Sequence, residues 1–501
     1  RLPDFARYDG NPKVKKAHVQ IQFTEEQIEE IAKCSQDPIY FAEKYVYIID
    51  PDKGKIIVKL RDYQKRLMLH LHSNRQSIVL FPRQSGKSLT TCIYVLWYSI
   101  FNASKKCALL ANKEKISKEL FSKVKLAYIE LPYWLQPGVL EWNALSVKFE
   151  NGSEVECGAT SASAIRGMTV NLLILDEMAH ISNSIADEFW ASVYPTISAS
   201  TTSKMVLIST PNGLNHFYVT WKKALKGRNS FAPIKINWNE VPGRDEEWLK
   251  RAIADLGERK VNQEFLASFL GSSKTLIETS VLERLESEDY IEATEYDLHI
   301  FKQPKAGHVY SIGVDCAKGT GGDYSACQVI DITNEPFKQV AAYSNNKIGT
   351  HLFAEIVVKI ANYYNKAYLV VENNDIGYAV LQSIWNDCEY DNIVDFGTNN
   401  KEIGIRATTK SKSQALDILK NYIENNKIEI VDQHTIYQLS RFSEVRQGVF
   451  KGDDDEHDDL ISALYWALFI VTIPDFYEKK EEIRVTVKEE DDEEGESYLD
   501  V

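Results

Sequence analysis

Four short runs of almost unbroken apolar residues recur in the first half of the chain. They are SIVLF (77–81), CALLA (107–111), VNLLILDE (170–177) and KMVLIST (204–210), with longer amphipathic stretches between them. A strand that is apolar at nearly every position has no face to offer water, so it must be covered on both sides. Strands that alternate with helix-length segments build a parallel sheet with helices on either face. The pattern predicts an α/β fold from about Leu60 onward, with Thr24 capping an earlier helix. It also brings the ends of neighbouring strands to one edge, where such sheets bind ligands.

Two of these strands end in reactive groups. FPRQSGKS (81–88) links one to the helix-like segment LTTCIYVLWYSI. A loop there turns backbone N–H groups and a helix N-terminus towards a phosphate. Gln84, Ser85 and Gly86 would form the cradle, Lys87 would reach the β- and γ-phosphates, and Ser88 would hold Mg²⁺. The usual pattern has glycine where this chain has Phe81, and an isolated GKS is common. The strand LLILDE (172–177) supplies the second half of the argument. Asp176 would assist the Mg²⁺ shell, and Glu177 would orient and deprotonate the attacking water, so the pair predicts an ATPase. Arg83 and Arg166 are candidates for stabilising transition-state charge, although either suits an ordinary surface. Tyr63 and Gln64, in LRDYQKRLM, fit adenine contacts or a capped amphipathic helix, and spacing alone does not choose. Ser209 and Thr210 end a further strand, where a sensor of the γ-phosphate could sit.

The second half begins differently. Residues 271–305 are rich in Ser, Thr and Glu without a clear period and read as a connection. Strands follow at 308–317, 325–332 and 337–344, then helix 351–364, strand 366–373, helix 377–387, strand 392–396 and helix 411–425. That is the element order of an RNase H-like fold. Asp315 ends one strand and Glu372 another, while Asp458 and Asp459 precede the apolar segment LISALYWAL. Carboxylates delivered to one edge repel unless divalent cations intervene. Such a cluster suits two metal ions and nuclease chemistry, and oxygen ligands favour Mg²⁺ or Mn²⁺. Asp323, in GTGGDYSA, fits a supporting ligand or a turn residue equally. His351, a lone histidine, reads as structural. In DDDEHDDL (453–460) the first four acids read as a solvated run, because no element end fixes them.

Bulk properties narrow the partners less. The net charge is −14, but 12 acidic and 4 basic residues fall in 475–501, which leaves residues 1–474 close to balance. Any contact with DNA has to come from local patches such as Lys410–Lys412 or Arg441–Arg446. The seven cysteines form no C-x-x-C pair, which predicts a reducing compartment. The longest apolar run, Leu460–Ile473, is too short for the roughly 20 residues of a membrane helix. No secretory signal is predicted. The acidic tail from residue 476 is expected to be disordered.

These motifs together resemble the large terminase subunits of tailed phages, T-even type, over about residues 20–475. The likeness is carried by LRDYQKRLM, RQSGKS, LPYWLQPGVLEWN, AIRG, LDEMA, STPNGLNHFY, GVDCAKGTGGDYSA, VVEN and HDDL. The family also lacks the first P-loop glycine. The resemblance implies a P-loop ATPase domain (1–270, with an N-terminal helical subdomain) and an RNase H-like nuclease domain (306–475). It implies ATP-driven packaging of double-stranded DNA through the portal protein into a procapsid, with cutting of concatemers at the start and finish. ATPase roles carry over onto Lys87, Ser88, Asp176 and Glu177, with Arg83 and Arg166 as cis or trans charge stabilisers. Adenine contacts map to Tyr63 and Gln64, coupling to Ser209–Thr210–Pro211, and metal ligation to Asp315, Glu372 and one or both of Asp458 and Asp459. Further implications are a small terminase subunit as partner, a monomer in solution, a pentamer on the portal, and a place in the host cytoplasm and transiently on the procapsid. A repair helicase–nuclease and a non-catalytic ATP-binding module are the rivals. The first would unwind duplexes and the second would not turn over.

Overall fold

A computed structural model describes residues 2–50, 52–160, 170–198, 200–269, 275–373, 376–394, 403–446, 448–452, 457–473 and 476. The chain forms two compact units, Arg1–Gly271 and Ser272–Val501.

The first unit is built on an eight-stranded sheet. In chain order its strands are β1 (Gln76–Leu80), β2 (Lys106–Ala111), β3 (Val139–Trp142), β4 (Ser146–Phe149), β5 (Glu154–Ala159), β6 (Leu172–Asp176), β7 (Lys204–Ser209) and β8 (Ala232–Lys235). In space the order is β8-β1-β7-β6-β2-β5-β4-β3. The first six are parallel. The pair β3–β4 adds an antiparallel extension that the sequence pattern did not announce.

Alternation along each strand explains the double coverage. Val79, Leu109, Leu172, Ile174 and Val206 enter one core with helices α1 (Glu25–Gln36), α2 (Asp62–Ser73) and α3 (Lys87–Phe101). Ile78, Leu110, Leu173, Leu175 and Leu207 enter a second core on the opposite face. Thr24 caps α1, with Gln27 completing a reciprocal capping box.

The second unit holds a seven-stranded sheet. Its strands are β9 (Glu292–Ala293), β10 (His299–Ile300), β11 (Tyr310–Asp315), β12 (Ser325–Asp331), β13 (Phe337–Asn345), β14 (Tyr368–Val371) and β15 (Ile428–Glu429). The order is β9-β10-β13-β12-β11-β14, with β15 beside β13. β11, β12 and β13 are antiparallel, and β14 runs parallel to β11. Helices α4 (Thr350–Tyr363) and α5 (Ile376–Gln382) cover one face. Helices α6 (Thr409–Glu424) and α7 (Gln433–Arg441) come next, then the hairpin β16 (Phe442–Arg446)–β17 (Val449–Gly452). Helix α8 (Asp459–Phe469) packs on the other face of the sheet. Its approach depends on Gly313. A Cβ there would stand 1.9 Å from the Ala463 carbonyl oxygen and 2.3 Å from the Ala467 nitrogen.

Several expectations change. Beyond residue 274 the expected connection is folded, because Leu282, Leu298 and Ile300 are buried and β10 pairs with β13. The expected helix 377–387 is α5 continued by a π-turn, Ser383–Asp387. Of the expected strand 392–396, residues 392–394 are described and carry one bridge, Ile393 with Leu369, while 395 and 396 lie outside the described residues. Helix α7 lay in a stretch with no predicted element. Arg166, the acids at 453–456 and the tail beyond Phe476 lie outside the described residues. No described helix is long and apolar enough to cross a membrane.

Candidate phosphate and carboxylate sites

Strand register assembles the first site. Leu80 of β1 pairs with Ser209 of β7, and Ile208 of β7 pairs with Asp176 of β6. The residues just past these ends therefore meet at one edge. The loop after β1 enters α3 at Gly86, whose φ of +79° is left-handed. That conformation suits glycine. A Cβ there would also lie 2.6 Å from Gln64 Nε2. The neighbouring Tyr63 hydroxyl donates to the Ser85 carbonyl at 2.7 Å, and Ser85 Oγ donates to the Pro82 carbonyl at 2.6 Å. Tyr63 and Gln64 are thus buried against the loop, while Gln64 Oε1 also accepts from the Arg61 amide. Phe81 fills the usual glycine position from inside the core. It is fully buried and meets Tyr63 edge-on, ring centroids 6.1 Å apart.

The polar groups at this edge are interlocked. Lys87 Nζ is 2.5 Å from Glu177 Oε1 and 3.5 Å from Asp176 Oδ1. Ser88 Oγ donates to Asp176 Oδ2 at 3.2 Å. Ser209 and Thr210 hydroxyls each lie 3.4 Å from Glu177 Oε2. Burial pushes the Glu177 carboxyl up, but the Lys87 charge and hydrogen bond, with His180 and the Thr210 amide, hold it below its ordinary value. Burial works against the Lys87 charge as well, and Asp176 and Glu177 outweigh it, raising the ammonium. Glu177 holds a φ of +54°, unusual outside glycine. Arg83 is over half exposed and pairs with Glu264 at 3.3 Å. Gln84 takes a left-handed φ of +57°.

Two contacts here were not legible in the sequence. His180 Nε2 lies 2.9 Å from Thr210 Oγ1. Arg244 Nη2 donates to the Arg83 carbonyl at 2.7 Å. Neither residue sits in a recognisable spacing pattern.

The second site gathers at the β11 and β14 ends and the α8 start. Asp315 ends β11, Glu372 follows β14, Asp458 immediately precedes α8 and Asp459 opens it. Burial, reinforced by the Asp459 and Glu372 charges, pushes the Asp315 carboxyl well above the carboxylate range, against a smaller pull from Lys412 and the Ser462 hydroxyl. Burial also raises Asp459, to about 6, with Asp458 and Asp323 adding to the rise while the Tyr324 amide and His457 oppose it.

Each acid has its own protein partner. The Trp466 indole donates to Glu372 Oε2 at 3.2 Å. The Gly452 amide donates to Asp458 Oδ2 at 3.1 Å, and the Tyr324 amide to Asp459 Oδ2 at 3.2 Å. His457 Nδ1 stands 3.6 Å from Asp459 Oδ2 and 4.0 Å from Asp323 Oδ1. Among the described residues, no three Asp, Glu, His or Cys side chains form a ready-made metal-ligand set. Asp315, Glu372, Asp458 and Asp459 share one neighbourhood, since Asp459 and Glu372 act on Asp315 and Asp458 acts on Asp459. Asp323 stands apart on an exposed turn, its side chain 86% accessible. His351 is held by the Ser383 hydroxyl at 2.8 Å.

Comparison with known proteins matches both units. A family model described as terminase large subunit, T4likevirus-type, N-terminal, matches residues 78–284. A terminase RNaseH-like domain model matches residues 312–470. Among solved structures, the HK97 bacteriophage large terminase is 13% identical, covers 87% of this chain and 99% of its own, and has a TM-score of 0.49. The large terminase of a thermophilic bacteriophage, in complex with ADP, is 12% identical, covers 82% and 98%, and has a TM-score of 0.37. The large terminase nuclease of thermophilic phage G20c, with bound magnesium, is 20% identical, covers 39% and 97%, and has a TM-score of 0.32. The two family models, rather than these distant folds, establish the relationship.

Proposed function

We propose roles for individual residues from one premise: the chain belongs to the large terminase subunit family. It is a DNA-packaging motor subunit that joins an ATPase to a metal-dependent endonuclease. The observation that carries the residue assignment is the locked set Lys87, Ser88, Asp176 and Glu177 at one sheet edge.

That edge suits a nucleotide triphosphate with Mg²⁺. The Gly86 turn opens a 15-residue helix, whose N-terminus favours phosphate. Ser88 and Asp176 are neighbouring oxygen donors of the kind that Mg²⁺ prefers. Lys87 would exchange its carboxylate partners for phosphate oxygens. Glu177, kept ionised by Lys87 and His180, would accept a proton from water. Ser209, Thr210 and His180 touch or approach the same carboxylate, which supports a role in passing its state along β7. Tyr63 and Gln64, held against the loop, would meet the adenine. Arg83 and Arg166 are our candidates for stabilising charge, in cis or in trans.

For nuclease chemistry we assign Asp315, Glu372, Asp458 and Asp459, with Asp323 at most an outer contributor. Their oxygen donors suit Mg²⁺ or Mn²⁺. Bound there, two such ions would activate water and steady the leaving oxygen. Neutralising like charges held together by burial is itself a reason for the site to take cations. Phosphate contacts carry no sequence information directly, so cutting should show little base preference. The exposed Lys410 and Lys412 would contribute backbone contacts. Portal protein, small terminase subunit, pentameric assembly on the portal and a cytoplasmic, transiently procapsid-bound location follow from the family reading. Nothing observed favours a helicase–nuclease.

The deciding experiment is Asp315→Asn in the full chain. Plasmid cutting in Mn²⁺ should disappear while ATP hydrolysis persists. Cutting equal to wild type would remove Asp315 from the site.

A further inference from the structure

Asp458 occupies the position whose side chain ordinarily accepts a hydrogen bond from the second or third amide of a helix. It makes no such bond. Its backbone, at φ −128° and ψ 15°, departs from the extended geometry that capping uses. Its Oδ2 accepts instead from the Gly452 amide at 3.1 Å. The Leu460 amide, which a conventional cap would satisfy, donates to Gln438 Oε1 at 3.0 Å. Gln438 lies 22 residues earlier, on α7. The next two amides, Ile461 and Ser462, donate to the Asp458 carbonyl.

Leu460 is also gripped through its carbonyl, which belongs to the next peptide. Gln328 Nε2 donates to the Leu460 carbonyl at 3.3 Å and to Thr435 Oγ1 at 2.7 Å. Gln328 Oε1 accepts from Gln339 Nε2 at 2.7 Å, and Gln339 Oε1 accepts from the Val431 and Asp432 amides. Gln328, Gln339 and Thr435 are fully buried. A buried polar network is costly unless each member is satisfied, and once satisfied it fixes one arrangement. This one fixes the first turn of α8, where two of the four acids sit.

We propose that Gln438 is a positioning residue of the nuclease site. It caps α8 from a neighbouring helix and so releases the Asp458 carboxylate from the capping role, to take a divalent cation. The proposal rests on the reading of Asp458 as a metal ligand. A residue that merely joined α7 to α8 would affect stability and leave metal affinity alone.

The test uses the full chain with Q438M, which keeps length and loses the acceptor, Q438E, which keeps the acceptor, and D458A. Mn²⁺ binding is read by electron paramagnetic resonance without DNA, and cutting is read by the Mn²⁺ concentration for half-maximal activity. Q438M should weaken both by about tenfold or more, as loss of a partner that orients a ligand does. Q438E should recover much of that loss, and ATP hydrolysis should be unchanged throughout. In EDTA, Q438M should melt close to wild type, because Asp458 swings in to cap Leu460. The double variant Q438M/D458A should then melt lower than the two single changes add up to. An unchanged Mn²⁺ dependence in Q438M beside an impaired D458A would overturn the proposal alone. So would a large melting loss in Q438M, or additivity in the double variant. Wild-type Mn²⁺ binding by D458A would instead overturn the assignment of Asp458 beneath it.

Discussion

Glu177 presents one oxygen to Lys87 Nζ at 2.5 Å and the other to the Thr210 hydroxyl at 3.4 Å. One carboxylate therefore joins the phosphate loop to the strand that ends in Ser209. The joint is built into the sheet, because Asp176 is level with Ile208, which puts the next residue on each strand side by side. Holding Glu177 at a φ of +54° costs about 1–3 kcal/mol. The surrounding hydrogen bonds offset that strain only while the side chain can accept them.

Glu177→Gln separates geometry from proton transfer. The amide keeps an oxygen for Thr210 but cannot accept a proton from water. Loss of a general base typically costs about 10²–10⁴-fold. We expect the ATP turnover number to fall by that order while nucleotide affinity changes little. Phosphate release and fluorescent-nucleotide binding measure the two separately. Hydrolysis near the wild-type rate would remove Glu177 from the base role.

Gly313→Ala tests how α8 is seated. The added methyl would overlap the Ala463 carbonyl and the Ala467 amide, both helix backbone, so no side-chain rotation relieves it. Overpacking of this kind costs about 1–3 kcal/mol or more. The helix would have to move off β11, carrying Asp459 away from Asp315. Plasmid cutting should be lost and the melting of the second unit lowered, with ATP hydrolysis retained. Normal cutting by this variant would show that α8 tolerates displacement.

Asp459 predicts a pH dependence whose sign follows from its raised value. The folded state holds this proton up to about 6, against an ordinary value of 3.8. The stabilisation is complete below the ordinary value and is lost as pH rises through the folded one. In EDTA the second unit should therefore lose stability between these limits, and Asp459→Asn should remove part of the slope. Metal binding requires ionised carboxylates, so stabilisation by Mg²⁺ should grow over the same interval. Melting curves with and without Mg²⁺ check both. An identical slope in Asp459→Asn would assign the titration to other groups, Asp315 first.

The sequence revealed most where one residue type had one reason to be present. Runs such as LLIL have no exposed face, so a two-sided core was their only outcome, and Leu172 to Leu175 alternate between the two cores as required. Asp176, Asp315 and Glu372 were legible because each follows such a run. Contacts made across long separations were not. Trp466 and Glu372 are 94 residues apart, and the indole looks like any core residue of an apolar helix. Helix α7 escaped because it is nine residues long and mixes polar with apolar side chains. The individual partners of the acids, such as the Gly452 amide on Asp458 and the Tyr324 amide on Asp459, were equally hidden, because loop backbone carries no sequence signal.

Phe81→Gly would restore the usual P-loop pattern, and we expect it to harm the protein. Where the glycine would stand, Phe81 is buried in the core and touches Tyr63. Its amide donates to the Ser209 carbonyl at 3.1 Å, tying β1 to β7 beside the site. Removing a buried phenyl group costs about 3–5 kcal/mol, and glycine adds backbone freedom to a strand end. Tyr63 would lose its packing partner, loosening the hydrogen bond that holds the Ser85 carbonyl. The expected result is a lower melting temperature for the first unit and weaker nucleotide binding, with Phe81→Leu intermediate in both. Tighter nucleotide binding by the glycine variant would mean that the loop, rather than the core beneath it, sets affinity.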